Sequence, residues 1–109
     1  MVGIARTATI RGAHPNALDA KAADEINLSY YRYIDEGPKP SITVIQDLDS
    51  AQRGYGSFWG EVNSNIHRGL GCRGVITDGS VRDIPDLAEG FQVLADRVGP
   101  SHALSLIHI

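Results

Sequence analysis

Apolar residues along the chain alternate between two spacings. "VGIARTATI" (2–10) is rich in β-branched and apolar residues and reads as a strand, followed by a turn at "RGAHPN". Leu18, Ala22, Ile26, Tyr30 and Ile34 then recur every four residues. That is the stripe of a helix, and Gly37-Pro38 ends it. At this spacing the tyrosines of "LSYYRYI" read as core or subunit contact rather than as a stacking platform. "SITVIQDLD" (41–49) is a second strand, apolar enough to be covered on both faces.

After the loop "SAQRGYGS", a second helix is expected from about Phe58 to Leu70, with Phe58, Val62, Ile66 and Leu70 on one stripe. Ser57 is its expected N-cap and Gly71 its stop. "RGVIT" (73–77) is the third strand, and "DGSVRDIPDLAEG" is a turn into a short helix that Pro85 and Asp86 begin. "FQVLADRV" (91–98) is read as a fourth strand and "HALSLIHI" as a fifth. Strands alternating with helices imply an α/β fold with a partly parallel sheet and crossover helices.

A length of 109 residues bounds this to one domain, which the reading treats as a single unit over 1–109. A net charge of -3 argues against a nucleic-acid or anionic-membrane surface. No stretch is long and apolar enough for a membrane span, and the N-terminus lacks a signal-peptide pattern, so a cytoplasmic location is expected. Cys72 is the one cysteine; it excludes a disulfide framework and reads as a small buried residue.

The chemistry concentrates in "GVITDGSVRD" (74–83), where Arg82 stands beside Asp83. In extended chain, adjacent side chains point to opposite faces, so each is expected to have its own partner. If strands 41–49 and 73–77 are parallel, the crossover brings the start of the second helix and the Arg82–Asp83 loop to the same sheet edge. First-turn amides of "GEVN" (Gly60, Glu61, Val62, Asn63) lack intrahelical acceptors and suit an anion, and Gly60 admits it to the backbone. Arg82 can grip a carboxylate, while Asp83 can hold a hard divalent cation bridging to it. Taken alone, an Arg-Asp pair reads first as solvated surface charge, and it is the helix-start amides and the Gly-bounded loop that bring the two readings level.

Rival readings use overlapping residues. Gly54, Gly56 and Gly60, with Asp78 closing the next strand, approximate a dinucleotide-binding turn, but the glycines start several residues after the strand and their last spacing is one residue long. There is no G-x-S-x-G. His14, His67, His102 and His108 show no spacing that suggests partnership, and His67 is expected on a helix face.

Taken together, "VGIARTATI", "GEVNSNIHRGLGCRGVITDGSVRDIPDL" and "FQVLADRVGPS" resemble the family of the regulator of ribonuclease activity A and the class II 4-hydroxy-4-methyl-2-oxoglutarate aldolases, in order over about residues 2–102. The resemblance implies a swivelling β/β/α domain assembled as trimers or dimers of trimers. It implies substrate binding by Gly60, Glu61, Val62 and Asn63, an Arg82 grip on the pyruvate-like end, and magnesium or manganese on Asp83. The implied activity is metal-dependent cleavage of a 2-oxo acid to pyruvate, with oxaloacetate decarboxylation as a companion. Asp78 or a metal-bound water is the candidate base. The ribonuclease-regulator branch, by resemblance, lacks the Arg-Asp pair in this form, although a protein-binding regulator remains the alternative. Family members have a helical segment before the first strand and continue beyond position 109, so the chain is expected to be truncated at both ends. "LSLIHI" departs from the pattern and resembles translated adapter read-through, a non-native tail over about 104–109.

Overall fold

The computed structural model describes residues 1–11, 20–49, 57–99 and 106–108. Strand β1 (Ile4–Ile10) is followed by helix α1 (Ala20–Glu36) and strand β2 (Ser41–Asp47), then by helix α2 (Glu61–Gly69) and strand β3 (Cys72–Thr77). β1 and β2 are parallel from Ile4↔Ser41 to Ile10↔Asp47. β2 and β3 are parallel through Thr43↔Val75 and Ile45↔Thr77. Strand β5 (Gln92–Leu94) adds in parallel beside β3, and β7 (Leu106–His108), within the tail expected to be non-native, adds antiparallel beside β1. The sheet order is β5-β3-β2-β1-β7.

Because β1, β2 and β3 follow one another in a single direction, right-handed crossovers place both helices on the same face. The side chains agree. Tyr30 of α1 and His67 of α2 have ring centroids 5.5 Å apart. Ala8, Ile10, Ile45 and Val75 point from the sheet into the same core as Tyr30, Ile34, Trp59 and Phe91. The reading of β2 as covered on both faces is therefore corrected. By register, the other face carries Thr7, Val44, Ile76 and Leu94, with Ile76 38% and Leu94 61% exposed.

Helix α2 begins later than its sequence stripe suggests. Phe58 and Trp59 are extended chain, and Trp59 bridges in parallel to Val81. Val62, expected in the core, is 61% exposed, whereas the buried residues of α2 are Ser64 and His67. Anchoring the stripe on Phe58 fails because Phe58 does not belong to the helix, so the true inward face is set about one residue out of phase. That face is polar and depends on hydrogen bonds: Ser64 Oγ donates to Glu61 O at 2.9 Å and accepts from Ala88 N at 2.8 Å. Ser57 is not the cap. Gly60 is, without a side-chain bond, and Ser57 Oγ instead donates to Ser80 O at 3.0 Å. Gly71 ends the helix as expected, at φ 83°.

The expected strand 91–98 is two strands in two sheets. β5 belongs to the main sheet, while β6 (Arg97–Val98) pairs in parallel with β4 (Ser80–Val81). Between them, Asp96 N donates to Gly79 O at 3.0 Å, which pulls the chain across. The expected short helix is a single 3-10 turn over Ile84–Asp86 with Pro85 inside it.

Candidate functional site

Arg82 leaves β4 at its carboxyl end and folds back over the start of α2. Its backbone N donates to Trp59 O at 2.8 Å, and its Nε donates to Ser57 O at 3.3 Å. Two carbonyls of one extended segment thus hold both the backbone and the guanidinium of Arg82. Its side chain is 10% exposed, and Nη1 donates to Asp83 Oδ2 at 2.5 Å.

The expectation of separate partners for Arg82 and Asp83 is thereby overturned. The alternation rule applies to extended chain, but Asp83 sits at φ 56°, ψ 37°, the one non-glycine at positive φ among the described residues. Left-handed backbone swings its carboxylate back to the side of Arg82. The conformation costs free energy, though Asp tolerates it better than most residues.

Gly60 is required here for space. Its own backbone is extended, at φ -163°. A Cβ on it would lie 2.6 Å from Arg82 Nη1 and 2.8 Å from Asp83 Oδ2. The ion pair therefore rests directly on the helix start, and Glu61 N points at Asp83 Oδ2 from 3.4 Å. The anion at the helix amides is thus, in part, the protein's own carboxylate.

Donor and acceptor capacity remains. Arg82 Nη2 and Asp83 Oδ1 make no hydrogen bond among the described residues. The Asp83 side chain is 39% exposed. A guanidinium corner and a carboxylate oxygen side by side can receive, respectively, a carboxylate and a hard cation. No group of three or more His, Cys, Asp or Glu able to hold a metal occurs among the described residues. A cation here would have Asp83 as its protein ligand and take its other oxygens from substrate and water, a donor set compatible with magnesium or manganese.

Of the candidates read from the sequence, Gly60, Glu61, Arg82 and Asp83 come together. Val62 and Asn63 contribute at most their backbone amides. Val62 is exposed, and the Asn63 amide is committed, accepting at Oδ1 from Tyr31 OH (2.8 Å) and donating from Nδ2 to Phe58 O (2.7 Å). Asp78 accepts at Oδ1 from Asp47 N at 2.7 Å, which ties it to the end of β2. Gly54, Gly56, His14 and His102 lie outside the described residues, as does the side chain of His108. Cys72 is buried, 3.4 Å from Thr43 Oγ1.

His67 is not on a free helix face. It is fully buried, with Nδ1 donating to Asn63 O and Nε2 accepting from Tyr30 OH, both at 2.6 Å. Burial lowers its pKa to about 4, against a smaller opposing effect of the Asn63 carbonyl, so the ring is neutral and this tautomer satisfies both contacts. Burial also pushes the Tyr30 hydroxyl well above its ordinary range. Sequence reasoning missed Ser57 O and Tyr31. A backbone acceptor leaves no residue-type signal, and Tyr31 lies off the four-residue stripe that marks α1.

In overall geometry the chain is similar to the structure of the RNA-processing inhibitor RraA from Thermus thermophilis, with a TM-score of 0.65 at 16% identity. The alignment covers 98% of this chain and 58% of that one. No curated protein matches. The RraA-like family model, described as Aldolase/RraA, matches residues 1–105. A parallel sheet with both helices on one face, a chain returning into a second small sheet, and a match over nearly the whole length agree: the chain belongs to the RraA-like family.

Proposed function

We propose that the chain carries the pyruvate-gripping part of a divalent-metal-dependent lyase site, acting on 2-oxo acids of the 4-hydroxy-4-methyl-2-oxoglutarate type and decarboxylating oxaloacetate. One observation carries this reading: the Arg82 guanidinium, 10% exposed and held by Ser57 O, leaves Nη2 open beside the exposed carboxylate of Asp83.

The residues divide the work by charge. Arg82 receives the substrate carboxylate through its open corner and fixes the orientation of the 2-oxo group. The amides of Glu61, Val62 and Asn63, at the positive end of the α2 dipole, add to the field that favours an anion there. Asp83 is the residue that would hold magnesium or manganese; when bound, the cation supplies Lewis-acid stabilisation of negative charge at the keto oxygen. In the retro-aldol direction the C4 hydroxyl loses its proton to a base, its oxygen forms the carbonyl of the departing 2-oxo acid, and the C3–C4 bond breaks. Its electron pair passes into the pyruvate enolate, and proton return at C3 gives pyruvate. Burial of Arg82 against Ser57 and Gly60 keeps its charge poorly screened where the enolate forms. Loss of carbon dioxide from oxaloacetate leaves the same enolate. Trimeric assembly and a cytoplasmic location belong to this proposal. No helix among the described residues is long and apolar enough to cross a membrane.

The test is pyruvate release from 4-hydroxy-4-methyl-2-oxoglutarate and from oxaloacetate, with magnesium or manganese and with chelator. Release that requires metal and disappears in Asp83→Ala supports the lyase; metal-independent release, or none from an assembled protein, sinks it. The likeness to a protein named as an inhibitor of RNA processing supports a second reading, a non-enzymatic regulator that binds a ribonuclease. That reading expects inhibition of RNA processing that survives Asp83→Ala.

A further inference from the structure

Residues 57–59 form an extended segment whose successive carbonyls face opposite edges. On one edge, Ser57 O and Trp59 O receive Arg82. On the other, Phe58 O receives the Asn63 side chain, which is itself held by the hydroxyl of Tyr31. We propose that Tyr31 and Asn63 are positioning residues for Arg82: they anchor α1 to this segment and so set where the guanidinium is presented. The inference rests on the reading of Arg82 as the carboxylate grip. It assigns to the Asn63 side chain a role away from substrate.

Three features support a relay rather than incidental packing. The Tyr31–Asn63–Phe58 chain is continuous, with contacts of 2.8 Å and 2.7 Å that use both ends of the Asn63 amide. Asn63 is pinned a second time, because its own carbonyl accepts from His67 Nδ1 at 2.6 Å. The Arg82 Nε bond to Ser57 O is long, at 3.3 Å, and a small displacement of the segment is enough to lose it. Tyr33 offers an internal comparison. It is on the same helix, and its hydroxyl accepts from Thr7 N at 3.1 Å, outside the chain of contacts that leads to Arg82.

The experiment compares Tyr31→Phe, Asn63→Ala and Tyr33→Phe in the complete protein. The Arg82 Nε–H nitrogen resonance is assigned by its disappearance in Arg82→Lys. Its exchange with water reports the Ser57 bond without requiring turnover. Exchange is expected to rise about fivefold in Tyr31→Phe, the size of one hydrogen bond, and to stay unchanged in Tyr33→Phe. Adding Tyr31→Phe to Asn63→Ala is expected to change nothing further, because both act on one chain of contacts. In the lyase assay Tyr31→Phe and Asn63→Ala raise KM more than they lower kcat, and Tyr33→Phe changes neither. Equal acceleration in Tyr31→Phe and Tyr33→Phe, or none in either, overturns the relay. Loss of the lyase reading leaves the exchange result standing, so the two failures are distinguishable.

Discussion

Arg82 and Asp83 are neighbours in sequence that become an ion pair because Asp83 adopts left-handed backbone, and Gly60 leaves the space beneath them. Three positions far apart in kind (a charged pair, a strained φ and a missing side chain) are one arrangement. Altering any of them changes the same site.

Gly60→Ala tests the space. The added methyl meets the guanidinium of a residue with little room to retreat, so Arg82 is displaced. The expected result is at least about a tenfold loss of carboxylate binding, read by calorimetry with pyruvate, the loss of a charge-assisted bond. Because Gly60 itself is extended, the fold pays no φ penalty, and circular dichroism is expected to be unchanged.

Asp83 separates backbone from charge. Asparagine also tolerates left-handed conformation, so Asp83→Asn retains the turn while removing the anion, and any loss of stability it shows is that of the ion pair with Arg82. Metal affinity, followed by manganese titration, is expected to fall below detection. Asp83→Val combines loss of charge with a β-branched residue at φ 56° and is expected to unfold more readily by about 1–3 kcal/mol.

His67 makes stability depend on pH. Its folded pKa is lowered to about 4 while the unfolded ring titrates near its ordinary value, so between these the unfolded state binds the extra proton. The contribution is complete above about pH 6.5, declines as pH falls and levels off below about 4, a total on the order of 3 kcal/mol. Denaturant midpoints measured across this window are expected to fall more steeply in the wild type than in His67→Gln. Parallel curves would show that His67 does not carry the effect.

The corrected phase of α2 is testable by truncation. Val62→Ala, at an exposed position, is expected to cost less than about 0.5 kcal/mol. Ile34→Ala, fully buried on α1, is expected to cost about 2–5 kcal/mol. Similar losses from the two would restore the stripe read from the sequence.

Much of this molecule is determined locally. The β-branched run of β1, the four-residue recurrence that buries Tyr30 and Ile34, and the Gly71 stop are properties of adjacent residues, which is why the sequence predicts an α/β fold with a partly parallel sheet. The candidate site is legible in residue types: Gly60, Glu61, Arg82 and Asp83 do assemble at the start of α2. Their arrangement was decided by tertiary structure. No local pattern shows that Phe58 and Trp59 leave the helix to pair beside β4, since that choice depends on a strand more than 20 residues away. Nor does any pattern show that Asp83 turns back onto Arg82 or that the Asn63 side chain faces Tyr31 and Phe58. Residue identity determines which groups are present and their charge. The long-range packing of 57–59 between α2 and β4 determines which of them face outward, because backbone carbonyls there are satisfied by side chains distant in sequence.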